Sequence, residues 1–329
     1  MKQPGVTGVG SVGGKLRVYV EGTDITIPSE IDGVPVEVFK TGPIKALIHE
    51  IDYSTTDHYH IPYDEDVSLS GTPWIVPSKA IDALRTGVVR PVPGGVSIGH
   101  PSITAGTHGV SLKFLGLNAG LSNNHVLAAG STFQNSKANI GDPIYQPGPY
   151  DGGKEEDKVG FLSWYQPINL DGSNLIDAAL WQPTTPDLLL DEVLDIGVPA
   201  GVATAQVGEM VQKSGRTSGY MSAEVMDVNA SIKVNYGEFT AEFHNQIVTD
   251  LMGEPGDSGS AVFNMSGPKL VGLLFAGSNF VTVHNHIGNI LDAIGPVPPP
   301  GGGGGVVGSP AGVAVPLMLS NALFLFGFI

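Results

Sequence analysis

Cysteine is absent from all 329 residues. That excludes disulfides, thiol catalysis and cysteine-ligated zinc, and it leaves the redox compartment open. Positive charge is scarce: 16 Lys and Arg stand against 32 Asp and Glu, a formal net charge of −16. A phosphate backbone rewards clustered basic side chains, so nucleic acid is excluded as an expected partner. Charged residues make up only 15% and hydrophobic ones 41%, which is not the composition of a disordered chain. The first residues, Met1-Lys2-Gln3-Pro4-Gly5-Val6, carry no apolar run of the signal-peptide kind. A start internal to a longer precursor and export by another route both stay open, with an extracellular or membrane-associated setting preferred. What is abundant is Gly, 46 residues, and Pro, 25, the punctuation of a loop-rich, strand-rich globular protein.

One punctuated stretch carries chemistry. Gly253-Glu254-Pro255-Gly256-Asp257-Ser258-Gly259-Ser260-Ala261-Val262 sets a serine between glycines just before an apolar strand. A serine hydroxyl attacks a carbonyl only when a base takes its proton and backbone N–H groups receive the developing oxyanion. Ser258 is the candidate nucleophile, and the amides of Gly256 and Ser258 are the candidate oxyanion donors. Taken alone, the segment reads first as a structural turn.

Partners stand upstream. Leu121-Ser122-Asn123-Asn124-His125-Val126-Leu127 ends an apolar run in a polar turn with one histidine, and Leu175-Ile176-Asp177-Ala178-Ala179-Leu180-Trp181 buries one carboxylate in strand-like sequence. His125 is the candidate base and Asp177 its orienter. Singly, the histidine also reads as a surface group and the aspartate as a cap. Together they give the order His, Asp, Ser, 52 steps along the chain from the first to the second and 81 from the second to the third. That order separates one solution of the catalytic triad from the others.

On these residues the chain resembles the chymotrypsin-like serine endopeptidases, bacterial members in particular, from about Pro91 to Gly295. Further segments carry the likeness: Gln146-Pro147-Gly148-Pro149-Tyr150-Asp151-Gly152-Gly153, Lys213-Ser214-Gly215-Arg216-Thr217-Ser218-Gly219, and Leu270-Val271-Gly272-Leu273-Leu274-Phe275-Ala276-Gly277-Ser278. The last resembles the strand that lines the substrate cleft and pairs with bound peptide, which makes Phe275, Ala276 and Gly277 candidate substrate-binding residues. The resemblance implies a mostly β fold of two antiparallel six-stranded barrels with catalytic groups at their junction. It also implies acyl transfer through a covalent intermediate, with neither metal nor cofactor. Activity is expected to rise through about pH 6 to 8 as the histidine loses its proton.

The likeness has departures. Ser260 stands where many members have a second glycine. Phe275 falls where a small serine often supports the catalytic aspartate, so that hydrogen bond is expected to be missing. Met252 falls at the floor of the specificity pocket; it argues against Lys or Arg before the cut and for a medium or apolar side chain. In many animal relatives a new N-terminus pairs with the aspartate before the nucleophile, here Asp257. No such activation text precedes His125, so Asp257 needs another partner, and an enzyme competent without that cleavage is expected.

Around this domain, assigned to 91–295, lie other units. Residues 1–90 read as a small α/β extension, with strands at Leu16–Val20 and Val34–Phe39, a turn at Ile31-Asp32-Gly33 and a short helix from Ser78 to Arg85. Asp57, His58, His60, Asp64 and Glu65 cluster in polar loop text without metal-ligand spacing. His284-Asn285-His286 reads as a strand end leading into a helix whose Ile287, Ile290, Leu291 and Ile294 share one face. Residues 296–310 are a Pro/Gly linker. The tail 311–329 is free of charge over 19 residues, near the roughly 20 a membrane-crossing helix needs. Membrane anchoring, self-association and docking onto the chain's own domain are its three readings. The expected function is a serine endopeptidase acting on protein or peptide substrates. The rival is a peptidase-like scaffold for binding or extracellular assembly through the N-terminal unit and tail.

Overall fold

The computed structural model describes residues 3–23, 25–48 and 84–295, and it is mostly β. The linker, the apolar tail, the Asp57–Glu65 cluster and most of the expected Ser78–Arg85 helix lie outside the described residues; Leu84 to Thr86 are helical. Among the described residues no helix is long and apolar enough to cross a membrane.

The C-terminal half is built from six antiparallel strands. Met210–Gly215 pairs with Gly219–Asn235, which pairs with Thr240–Asp250. Thr240–Asp250 pairs with Val281–His286, and that strand with Leu270–Gly277. Leu270–Gly277 pairs with Ala261–Asn264, which returns to Met210–Gly215. The apolar run Leu270–Gly277 is buried at every position, as expected of a strand covered on both faces. Gly219–Asn235 instead alternates buried and more open residues along its second half. Phe243, Phe275, Val248, Val281 and Val283 form one core of this half, and Val211, Ile247, Met252, Val262 and Leu274 another.

The preceding half holds a five-stranded sheet in the order Pro143–Tyr145, Lys158–Tyr165, Ala179–Pro183, Leu117–Ser122, Val110–Phe114. Two smaller pairs flank it, Val92–Gly94 with Leu189–Val193 and Ser97–Ile98 with Gly106–Thr107. The helix Ile287–Ile294 buries Ile287, Ile290 and Ile294 in a core cluster that also holds Leu121 and Ala178 from the preceding half and Phe263 and Leu273 from the C-terminal half. The spacing read from the sequence therefore marks the correct face, with Leu291 at its partly buried margin.

The N-terminal strands join the C-terminal sheet. Val6–Val12 and Lys15–Val20 form a hairpin around Gly13 and Gly14, both at positive φ as a tight two-residue turn requires. Val34–Lys40 lies parallel to the second of these strands. Asp32 and Gly33, at φ 49° and 80°, make the turn expected at that dipeptide. The first strand docks on Gly219–Asn235, with Gly8 opposite Ile232. The buried Tyr19 hydroxyl ties the hairpin down by donating to Asp227 Oδ2 at 2.9 Å. The chain then runs through Lys45–Ala46, which pairs with Leu270–Gly277.

Candidate active site

His125 lies in the short helix Asn124–Leu127 that follows strand Leu117–Ser122, and Asp177 comes two residues before strand Ala179–Pro183. The two strands are neighbours with Ser122 opposite Ala179, so both side chains emerge at one end of the sheet. His125 Nδ1 lies 2.6 Å from Asp177 Oδ2, and the His125 backbone N–H donates to Asp177 Oδ1 at 3.2 Å. Both side chains are almost wholly buried. The asparagines before the histidine hold this turn: Asn123 Nδ2 donates to the Asp177 carbonyl at 2.7 Å, and Asn124 Nδ2 to the carbonyls of Ser131 and Gln166.

Asp177 has two further supports, both missed in the sequence. The Tyr236 hydroxyl donates to Asp177 Oδ2 at 2.8 Å, and the Asp177 backbone N–H donates to Asn285 Oδ1 at 2.9 Å. Burial, followed by the charge of Asp177, pushes the Tyr236 hydroxyl well above its ordinary pKa, so it remains a donor. Its ring meets the imidazole edge-on, with centroids 5.8 Å apart, and stacks on Phe239 at 4.8 Å. Phe275 gives Asp177 no such hydrogen bond; a different donor, Tyr236, comes from the hairpin that follows Gly219–Asn235. A lone aromatic in the turn Asn235-Tyr236-Gly237 gave no signal. Asn285 stands between His284 and His286, where alternation reports a strand end and not a bond to a distant backbone N–H.

Ser258 is fully buried, in the loop between Thr240–Asp250 and Ala261–Asn264. Gly256 and Gly259 adopt φ of 98° and 94°, closed to most side chains. Neighbouring elements fix the loop: Thr107 N–H donates to the Ser258 carbonyl at 2.7 Å and Thr107 Oγ1 to the Gly256 carbonyl at 3.0 Å. The Ser258 hydroxyl donates to the Phe275 carbonyl at 3.2 Å. His125 Nε2 is buried without a hydrogen-bond partner among the described residues. The structure thus joins His125 to Asp177 and places no hydrogen bond between His125 and Ser258.

Asp257 has the partner that the sequence required. Lys213 Nζ lies 2.8 Å from its Oδ2, with both side chains fully buried. Thr217 and Ser218 N–H and the Ser218 hydroxyl add further bonds, at 2.9, 3.1 and 2.5 Å. Burial alone would raise the carboxyl, but Lys213 and these donors outweigh it and hold Asp257 below the ordinary carboxylate value. The flanking segments also meet: Arg216 Nε donates to Asp151 Oδ2 at 2.8 Å.

The remaining candidates are buried, and the cleft beside His125 is lined by other residues. Met252 is buried in an apolar cluster with Leu274, Val271 and Leu47. Phe275 turns its ring into the core against Phe243, with centroids 4.8 Å apart, so its carbonyl is what faces the site. Ala276 and Gly277 pair with Ala46 and Lys45 of the chain itself. Beside His125 a cleft of about 570 Å³ opens, lined by Tyr236, Phe239, Ile48, Ile103 and Lys137 among others. Among the described residues no group of three or more His, Asp or Glu side chains is placed to hold a metal. His284 and His286 instead bond Thr249 Oγ1 and the Val228 carbonyl.

No protein-family model matches the chain. Over 78 residues it is 38% identical to Serine protease 2 of Streptomyces fradiae, covering 24% of this chain and 42% of that protein. Over 74 residues it is 42% identical to Streptogrisin-A of Streptomyces griseus, covering 22% of this chain and 23% of that one. The chain resembles bacterial trypsin-fold serine proteases. It spans less than half the length of either of these curated relatives. Among solved structures, Thermobifida fusca Protease A aligns with a TM-score of 0.45 at 20% identity, covering 62% of this chain and 96% of that one.

Proposed function

We propose that this chain is a serine endopeptidase that hydrolyses protein or peptide substrates through His125, Asp177 and Ser258. The observation that carries the reading is the buried His125–Asp177 contact of 2.6 Å, braced by Tyr236 and Asn285. A surface histidine or a capping aspartate has no need of such bracing. In this reading 91–295 is the peptidase domain, its two halves are two β-barrels, and 1–90 is an extension whose strands lengthen the second.

In the first step Ser258 turns about its Cα–Cβ bond from the Phe275 carbonyl toward the unpaired His125 Nε2. Hydrogen bonds of this kind are often loose until substrate arrives. Nε2 takes the hydroxyl proton as Oγ attacks the carbonyl carbon, and the N–H groups of Gly256 and Ser258 receive the oxyanion. The C–N bond breaks and the leaving amine takes the proton from Nε2. Water then hydrolyses the acyl-enzyme with the same base. Asp177 keeps Nδ1 protonated and faces the imidazolium throughout.

Labelling with a fluorophosphonate and hydrolysis of a peptide test this reading together. Wild type should label and cut; Ser258→Ala should do neither, and His125→Ala should lose nearly all turnover. Undiminished peptide hydrolysis in either variant rejects the assignment. Turnover of an activated ester without any peptide would make the protein an esterase instead.

A further inference from the structure

Residues 45–47 lie against Phe275–Gly277 and Gly256, the trough of the proposed site, with the pairing a substrate would make. Lys45 lies opposite Gly277 and Ala46 opposite Ala276, antiparallel. The Leu47 N–H donates to the Phe275 carbonyl at 3.2 Å, and the Leu47 carbonyl accepts from the Gly256 N–H at 2.8 Å. Gly256 is one of the two amides assigned above to the oxyanion, so the Leu47 carbonyl already sits against a group that would polarise it.

The side chain agrees with the backbone. Leu47 is buried in the cluster that contains Met252 and Leu274. A Cβ added at Gly253 or Gly277 would come within 3.2 or 3.4 Å of a Leu47 methyl, so these two glycines leave the space it fills. The next residue, Ile48, lines the cleft beside His125. An ordinary edge strand needs hydrogen bonds to its neighbour. It does not need a carbonyl directed at the amide two residues before Ser258 and a side chain seated beside Met252.

From this register we infer that the Leu47–Ile48 bond is the chain's own first substrate, and that leucine is a preferred residue before the cut. The inference rests on the serine-peptidase reading. Ser258 Oγ attacks the Leu47 carbonyl carbon while its proton passes to His125 Nε2. The bond to the Ile48 nitrogen breaks and that nitrogen takes the proton, leaving Leu47 as an ester on Ser258. One water then adds across the ester, giving a Leu47 carboxylate and a restored hydroxyl. The piece ending at Leu47 stays paired to Gly219–Asn235 through its hairpin, so it fills the trough as product until it departs. Lys213 already supplies the cation that Asp257 needs. Clearing the trough is a requirement separate from the activation cleavage that would give Asp257 a new N-terminus.

The test uses the full chain. Intact-mass measurement and N-terminal sequencing of purified wild type should find a cut between Leu47 and Ile48. Ser258→Ala should remain whole. The rate should not depend on protein concentration, as for a reaction within one molecule. Leu47→Asp should slow the cut by roughly 100-fold and Leu47→Met by far less. A short fluorogenic peptide ending in leucine is assayed alongside. If that peptide is hydrolysed while wild type stays uncut at Leu47–Ile48, the inference is overturned and the peptidase reading stands. If neither is cut, the peptidase reading falls and the inference with it.

Discussion

Tyr236 donates its hydroxyl to Asp177 Oδ2 at 2.8 Å, the same oxygen that meets His125 Nδ1 at 2.6 Å. One carboxylate oxygen is thus shared between the imidazole and a phenol whose burial keeps it protonated. Removing the phenol leaves the carboxylate one donor short in a dry site. A hydrogen bond to a charged group is worth about 1.5–3 kcal/mol. Tyr236→Phe should therefore lower kcat roughly 10- to 100-fold with little change in KM. A variant that kept full kcat would show that Asp177 is held without the tyrosine.

Gly256 combines φ of 98° with a site where an added Cβ would lie 2.3 Å from Thr217 Oγ1 and 2.7 Å from Arg216 Nη1. Gly256→Ala must turn its amide or push both neighbours away. Loss of one oxyanion donor costs about 100- to 1,000-fold in kcat. That loss should appear in steady-state kinetics while fluorophosphonate labelling of Ser258 is slowed rather than abolished.

Much of this site was legible because its chemistry is local. Gly256-Asp257-Ser258-Gly259 announces a loop with fixed donors, and the turn around His125 and the buried Asp177 follow from apolar runs broken by one polar residue. Strands at Leu16–Val20 and Val34–Phe39, the Asp32-Gly33 turn and the Ile287–Ile294 face were readable for the same reason. The missing parts are long-range. Tyr236 reaches Asp177 across 59 positions and Lys213 reaches Asp257 across 44, distances over which no periodicity carries information. The N-terminal strands read as a unit of their own because alternation reports a strand without naming its neighbour. Only the pairing of Gly8 with Ile232 and of Ala46 with Ala276 puts them on the C-terminal sheet.

Two interior histidines set the acid limb of stability. Burial pushes His108 down to about 3, and burial with the nearby Lys213 charge pushes His284 to about 3. Unfolded, each takes a proton near the ordinary value of about 6.5. Between these values the unfolded chain binds more protons, so stability falls as pH drops below about 6.5 and the loss levels off near the folded value. The slope is on the order of 1 kcal/mol per pH unit for each histidine. Tm measured in steps from about pH 8 to about pH 4 should decline over that range. The decline should be shallower in His284→Asn, and a flat profile in wild type would contradict two neutral interior imidazoles.

The Lys213–Asp257 pair makes the last prediction sharp because water reaches neither side chain. Replacing the lysine by methionine keeps most of its volume and strands a carboxylate in the interior, a change that costs about 3–5 kcal/mol when one member of a buried pair is removed. The depressed Asp257 pKa fixes the sign with pH: its contribution is present above the ordinary carboxylate value of about 4 and is lost as pH falls through the folded value. Lys213→Met should therefore unfold at markedly lower temperature near neutrality and converge on wild type in strong acid. Asp257→Asn added to Lys213→Met removes the stranded charge and should recover much of the Tm. It should not recover turnover, because Asp257 also takes the N–H groups of Thr217, Ser218 and Glu254 that shape the loop carrying Gly256 and Ser258. Thermal unfolding and peptide hydrolysis on the same three proteins separate these effects. A single variant as stable as wild type at neutral pH would mean that the ammonium is not what balances Asp257.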